Sequence, residues 1–173
     1  MRILVCIKQV PGTTQVDIDE KTGVLKRDGV ESKINPYDLY AIETALRLKT
    51  HWPEATTLAL TMGPPQAEQS LREALMMGID EVALISDRAF AGSDVLATAY
   101  TLSQAIQAIG DTGIIICGQQ TTDGDTAQVG PEIAEKLGLP QVTYCAELKK
   151  TGDTLTVRRM LEDGYMTVRV KTP

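Results

Sequence analysis

The stretch Gly118-Gln-Gln-Thr-Thr-Asp-Gly-Asp-Thr-Ala-Gln-Val-Gly-Pro131 joins a short apolar run to a helical pattern. The preceding run, Gly113-Ile-Ile-Ile-Cys117, is β-branched and bounded by glycine, which is typical of a buried strand. After the stretch, Val129, Ile133 and Leu137 recur every four residues and predict a helix that ends at the following glycine. The stretch itself is therefore a small-residue loop between a strand and a helix.

Two interpretations of this loop follow from its residues. Small side chains would let backbone N–H groups at the helix start face a phosphate, so the loop fits an anion site. A plain strand-to-helix connection with capping residues would have the same composition. Asp123 and Asp125 are too few carboxylates for a protein-only Ca²⁺ loop, and we expect them to form turn and capping bonds instead.

The rest of the chain alternates strands with amphipathic helices. We predict strands over residues 2–7, 56–62, 81–85 and 113–117. The apolar helix stripes are Leu39, Ile42, Ala45 and Leu46; Ala67, Leu71, Ala74 and Leu75; and Val95, Leu96, Ala99, Leu102, Ile106 and Ile109. This alternation predicts one α/β domain over residues 1–173, with a doubly wound, mostly parallel sheet that binds ligands at the carboxyl ends of its strands.

Local signals mark the helix starts and two antiparallel additions. Asn35 is expected to cap the first helix ahead of Pro36, and Ser93 or Asp94 to cap the third. Alternating patterns around glycine turns predict hairpins near residues 14–27 and 142–171.

The bulk composition excludes several classes of function. A net charge of −6 with mixed signs along the chain argues against nucleic acid as a partner. No apolar run is long enough for a membrane span or a signal peptide, so we expect a cytoplasmic protein. The three separated cysteines are expected to be small core residues, and the single histidine, His51, gives no metal or triad signal.

Common catalytic and nucleotide fingerprints are absent from the sequence. No G-x-G-x-x-G follows the first strand, and no G-x-x-x-x-G-K-[ST] or G-x-S-x-G occurs. A hydride-transferring dehydrogenase, a P-loop enzyme and a Ser-His-Asp hydrolase are therefore disfavoured. A nucleotide hydrolase is a weaker alternative because no nucleophile and base can be paired.

Four motifs together carry a resemblance to a known family. They are Asn35-Pro-Tyr-Asp38, Met62-Gly-Pro64, Ala74-Leu-Met-Met-Gly78 and, above all, the loop of residues 118–131. In this order they resemble the beta subunit of electron transfer flavoproteins across essentially the whole chain. The resemblance implies a Rossmann-like, adenine-nucleotide-binding sheet.

The resemblance also implies a set of cofactor-binding residues. These are Cys6, Asn35, Pro36, Tyr37, Asp38, Met62, Gly118, Gln120, Thr121, Thr122, Asp123, Gly124, Asp125, Thr126, Ala127, Gln128 and Val129. Cys6 and residues 35–38 would contact the nucleotide through their backbone, Met62 would lie beside the adenine, and the loop would hold ribose and phosphates. The small loop residues are similar to those of the FAD-binding, electron-bifurcating members, so FAD is expected, with AMP as the alternative.

The same resemblance implies partners. An alpha subunit would complete a heterodimer, an acyl-CoA-type or other dehydrogenase would be the redox partner, and NADH would drive bifurcation. The subunit would carry electrons through the flavin without catalytic residues of its own. The family continues beyond residue 173 with a segment that embraces the alpha subunit, so we expect that segment to be missing here. The alternative is a stand-alone adenine-nucleotide-binding module, similar to stress proteins, with no redox role.

Overall fold

The computed structural model describes residues 1–12 and 32–171, and the statements that follow concern those residues. In chain order the elements are β1 (Arg2–Cys6), β2 (Gln9–Pro11), β3 (Ser32–Ile34), α1 (Pro36–His51), β4 (Thr56–Met62), α2 (Glu68–Met77), β5 (Glu81–Ile85), α3 (Val95–Ile109), β6 (Thr112–Cys117), α4 (Val129–Leu137), β7 (Cys145–Thr151), β8 (Thr154–Leu161) and β9 (Gly164–Lys171). The predicted alternation of strands and helices is confirmed.

A four-stranded parallel sheet with the order β5-β4-β1-β6 forms the centre of the fold. In β1, Leu4 pairs with Leu58 on one side and with Ile115 on the other. Ile3, Leu4 and Val5 are fully buried, because a central parallel strand has helices on both of its faces. The predicted α/β fold with a doubly wound sheet is confirmed.

The two faces of the sheet carry separate hydrophobic clusters. Alternate β1 residues point to opposite sides, so Val5 lies in the cluster covered by α1 and α2, and Leu4 in the cluster covered by α3 and α4. None of the described helices combines the length and apolarity that a membrane crossing requires.

Three residues of the predicted helix stripes are exposed. Leu39, Leu75 and Leu96 retain 40%, 40% and 60% of their accessible surface. In α1 the buried apolar residues are Ala41, Ile42, Ala45 and Leu48. Ala41 and Leu48, which were not in the predicted stripe, replace Leu39 on the buried face, and the small alanines there let the helix pack closely against the sheet.

Local signals correctly set several helix ends. The Asp94 carboxylate caps α3 by accepting the Ala97 N–H at 2.8 Å. The helices α2 and α4 end at Gly78 and Gly138, both in the left-handed conformation that glycine adopts without strain.

The two predicted hairpin regions have different outcomes. The hairpin near residues 14–27 lies outside the described residues, but β2 and β3, which were not predicted, form an antiparallel pair on either side of it. The region 142–171 forms an antiparallel sheet of β7, β8 and β9, with β7 beginning at Cys145 rather than at residue 142. Leu148 packs against the cluster under α1, and the Lys150 ammonium lies 4.7 Å from the Trp52 ring centroid.

A polar junction at the amino ends of the strands connects α1, β4 and the turn before β5. The Asp80 carboxylate accepts the backbone N–H and the hydroxyl of Thr57, each at 2.8 Å, and pairs with the Lys49 ammonium. Burial alone would raise the pKa of Asp80, but Lys49 and the Thr57 donors outweigh it and hold this pKa below its usual value.

We expect Asp80→Asn to lower the free energy of unfolding by about 1–3 kcal/mol at neutral pH, because Thr57 and Lys49 lose their ionised acceptor. The pKa of Asp80 is lowered in the folded state, so its stabilisation is present above the unfolded-state pKa and is lost as pH falls through the folded-state pKa. Urea denaturation at neutral and acidic pH measures both effects. Asp111→Asn is the matched control, because the Asp111 side chain is 80% exposed and its ion pair with the N-terminus is long, at 3.9 Å, so the free energy of unfolding should change little.

Candidate functional site

The loops after β1 and β6 diverge at the topological switch of the sheet. From β1 the chain passes through α1 to β4 on one side, whereas β6 pairs with the other side of β1. Cys6 and Cys117 are paired in register, so both strands end at the same level. A crevice is expected outside the carboxyl ends of such strands. The loop of residues 118–128, which follows β6, lies at this position.

The Asn35 side chain attaches this loop to the start of α1. Its amide nitrogen donates to the Gln120 carbonyl at 2.8 Å, and its amide oxygen accepts the Thr122 N–H at 3.2 Å. Asn35 is completely buried. It occupies the N-cap position of α1 but makes no side-chain cap bond, so the prediction of a capping role was wrong. The Asn35 side chain bonds the loop instead, because the Gln120 carbonyl and the Thr122 N–H would otherwise have no partner.

Two further contacts hold the acidic part of the loop. The Lys8 ammonium bonds both carboxylate oxygens of Asp123 at 2.8 Å, and the Gln120 side chain donates to the Asp125 carboxylate. Partial burial would raise the pKa of Asp123, but the Lys8 contact outweighs burial and holds that pKa below its usual value. Lys8 also compensates one negative charge of the loop, which lowers the electrostatic cost of bringing an anion there.

The backbone of the loop is held in an uncommon conformation. Asp125 and Ala127 have φ angles of 56° and 55°, in the left-handed region that non-glycine residues rarely adopt. Such residues next to right-handed ones orient successive N–H groups toward one point, which is a known arrangement for holding anions. Strained backbone of this kind persists where surrounding contacts enforce it, and it clusters at ligand sites.

The start of α4 has no side-chain cap. Gln128 is the N-cap residue, and its side chain makes no capping bond. The expectation that Asp123 or Asp125 caps this helix was therefore wrong, since their carboxylates bond Lys8 and Gln120 instead. N–H groups of a first helical turn that lack a cap are suited to an anionic ligand.

Gly118 brings the beginning of the loop against the first turn of α1. A Cβ atom at this position would lie 2.9 Å from the Tyr37 carbonyl carbon and 3.0 Å from the Asp38 nitrogen. Those distances exclude any side chain, so the close approach of loop and helix requires glycine here.

The structure brings most of the predicted site residues to one place. Cys6 ends β1, residues 35–38 begin α1, and residues 118–129 form the loop and the start of α4. Met62 ends β4, where it pairs with Ile85 and packs on the cluster under α3 and α4. It lies on the strand next to β1, away from the loop contacts described above.

Lys8 is the site residue that sequence reasoning missed. The only signal was its position, a charged residue two places after the buried strand β1. Its partner Asp123 is 115 residues away, and the pairing depends on the strand order.

The cysteines of the site are not set up for nucleophilic chemistry. A hydrogen bond with Cys117, burial and the nearby charges raise the pKa of the Cys6 thiol well above its usual value, so the thiol stays protonated. Cys145 is exposed, which contradicts its prediction as a core residue. Among the described residues, His, Cys, Asp and Glu side chains form no group that could hold a metal ion.

The sequence matches the electron transfer flavoprotein domain family over residues 22–173. The chain belongs to this family. The resemblance carried by the four motifs is thereby confirmed.

Three relatives illustrate the range of proteins in which this electron transfer flavoprotein domain occurs. The chain is 53% identical to the electron transfer flavoprotein subunit beta of Clostridium acetobutylicum, 54% to the acryloyl-CoA reductase electron transfer subunit gamma of Anaerotignum propionicum and 49% to the caffeyl-CoA reductase-Etf complex subunit CarD of Acetobacterium woodii. Each comparison covers 100% of this chain. The chain spans 66%, 65% and 66% of the lengths of these relatives, respectively.

We expect Asn35→Ala to raise the amide hydrogen exchange rate of Thr122 and to lower the free energy of unfolding by about 1–3 kcal/mol. The reason is that the part-buried Gln120 carbonyl and Thr122 N–H lose their partner. Exchange monitored by NMR or mass spectrometry tests the first effect. Gln9→Ala is the control, because the Gln9 amide donates to a backbone carbonyl at an exposed position outside this loop. Unchanged exchange at Thr122 in the Asn35 variant would contradict the role of Asn35 in attaching the loop to α1.

Proposed function

We propose that this chain is the adenine-nucleotide-binding part of an electron transfer flavoprotein beta subunit. The observation that carries the proposal is the loop of residues 118–128 at the switch between β1 and β6. The left-handed Ala127 and the uncapped start of α4 at Val129 and Gly130 would provide backbone N–H groups for phosphates. Cys6, residues 35–38 and Met62 would complete the adenine and ribose contacts.

The size of the loop side chains favours the ADP half of FAD over AMP as the ligand. Gly124, Thr126 and Ala127 are small and exposed or partly exposed, so a second phosphate and its extension can pass over this backbone. Gly124 has room for a Cβ atom, whose nearest neighbour would be the Thr121 hydroxyl at 3.4 Å. The chain itself therefore does not require glycine at this position, whereas a ligand lying on the backbone would.

The proposed role is electron transfer in a heterodimer with an alpha subunit. When bound, the flavin would supply the redox chemistry, and this chain would supply binding and orientation of its adenylate end. The proposed redox partner is an acyl-CoA-type dehydrogenase or reductase, because two relatives are named as parts of acryloyl-CoA and caffeyl-CoA reductase systems. NADH is the proposed electron donor.

The proposed compartment is the cytoplasm, where the neighbouring thiols of Cys6 and Cys117 would stay reduced.

We expect Gly124→Val to reduce nucleotide affinity by about tenfold or more without unfolding the protein, because the branched side chain would occupy the space of the phosphates. Asp125→Lys should also block binding, since it removes the Gln120 contact and places a long side chain at a left-handed position. Calorimetric titration with FAD, ADP and AMP measures affinity, and thermal melting checks the fold. Gly164→Val is the matched control, because Gly164 lies at the start of β9 with no atom within 4 Å of its Cβ position. Full affinity in both loop variants would contradict the proposal.

The deciding experiment is purification of the complete gene product with its co-expressed alpha subunit, followed by an absorbance spectrum and identification of the released nucleotide. Flavin bands, together with FAD loss in Gly124→Val, support the electron carrier. A colourless preparation that releases only AMP or ATP would instead support a stand-alone nucleotide-binding module or an AMP-binding subunit. Reduction of the bound flavin by NADH under anaerobic conditions tests NADH as the donor.

A further inference from the structure

Asp38 is a buried charge in the first turn of α1, and its carboxylate faces protein groups on all sides. The residue is 5% exposed. Its carboxylate accepts the Lys8 N–H at 2.7 Å and lies close against Gly118, and the Asn35 side chain and the Gly118 backbone both favour its ionised form by lowering its pKa. One carboxylate thus connects the segment after β1, the start of α1 and the first residue after β6.

Gly118 lies so close to the Asp38 carboxylate that it leaves no room for a side chain. A Cβ atom added to Gly118 would collide with a carboxylate oxygen of Asp38 as well as with the backbone of α1. The absence of a side chain at the start of the loop is therefore what lets the Asp38 carboxylate lie against the backbone of Gly118. The aspartate at position 38 therefore requires glycine at position 118.

The charge of Asp38 is costly for folding. Burial raises its pKa to about 6, although the N–H donors and the Lys8 charge favour the ionised form. Lys8 and Cys6 face it from the β1 side, while Cys117 and Asp123 on the β6 side act through their contacts with Cys6 and Lys8. A neutral residue would avoid this cost, so stability alone does not explain an aspartate here. Buried charges with a full set of donors are suited to fixing the geometry of a binding site.

We propose that Asp38 is a positioning residue that fixes the loop of residues 118–128 for the nucleotide, and that binding requires its ionised carboxylate. Asp38 does not touch the ligand through its side chain, because protein groups surround the carboxylate. It acts through Gly118, which begins the loop, and through Asn35, which bonds Gln120 and Thr122. The ligand in this inference rests on the proposed function, whereas the loop contact rests on geometry alone.

The test compares Asp38→Asn with wild type in the full-length protein, using ADP-ribose as the probe. ADP-ribose contains the adenosine pyrophosphate group but lacks the terminal phosphate monoester, which titrates near pH 6 and would obscure the result. An Asn side chain offers one acceptor oxygen, so its amide nitrogen, a donor, would face either the Lys8 N–H or the backbone of Gly118. We expect affinity at neutral pH to fall on the order of tenfold. Asp80→Asn, which removes a comparable carboxylate at the opposite end of the strands, should leave affinity unchanged.

The pH profile separates positioning from a purely structural role. In wild type, affinity should fall about tenfold as the pH is lowered from about 8 to about 5, whereas Asp38→Asn should show a flat and weak profile. The contribution of Asp38 to the free energy of unfolding should change in the opposite direction and become less unfavourable as the pH is lowered. The folded-state pKa of Asp38 is raised, so the folded chain takes up a proton as pH falls and Asp38 then opposes folding less.

The affinities of the two proteins and their pH dependence decide whether Asp38 positions the loop for binding. Equal affinity in Asp38→Asn and wild type, or a wild-type affinity that does not change with pH, would overturn it. Amide hydrogen exchange at Lys8 and Gly118 gives a readout that needs no ligand, and relative to exchange in the core strands it should rise in Asp38→Asn but not in Asp80→Asn. A wild-type protein that binds no adenine nucleotide would reject the proposed function, and the exchange result would still decide whether Asp38 holds the loop.

Discussion

The parallel pairing of β1 with β4 on one edge and with β6 on the other is the constraint on which the site depends. It buries Ile3, Leu4 and Val5 of β1 completely between two layers of helices. It also makes the connections after β1 and β6 leave the sheet in opposite directions. The space between them is available to a ligand because no connection has to cross it.

Polar side chains, rather than apolar packing, shape the mouth of this crevice. Lys8, which follows β1, and Asn35, at the start of α1, bond groups of the loop that follows β6, and Asp38 in α1 lies against Gly118 at the beginning of that loop. Their partners are mostly peptide groups, which would be costly to bury without hydrogen bonds. An irregular loop with left-handed residues is thus kept in one conformation by a rigid neighbouring element.

The buried or partly buried carboxylates at the two ends of the parallel strands differ in their effect on stability. At the amino ends, Asp80 connects α1, β4 and the turn before β5, and its lowered pKa shows that the carboxylate is well compensated. At the carboxyl ends, Asp38 is retained as a charge despite a raised pKa. Stability is therefore gained at one end, and part of it is given up at the end where this electron transfer flavoprotein domain is proposed to hold its nucleotide.

The sequence by itself determined the four strands of the parallel sheet, most helix ends and the position of the loop, because these depend on local periodicity, glycine and capping residues. It also indicated the family through four collinear motifs. Only the tertiary structure decided which groups the site residues bind. Asn35 reaches a loop 85 residues away instead of capping its own helix, and Lys8 pairs with Asp123 across 115 residues. These contacts follow from the strand order, which places β6 beside β1, and local sequence patterns carry no information about that neighbour.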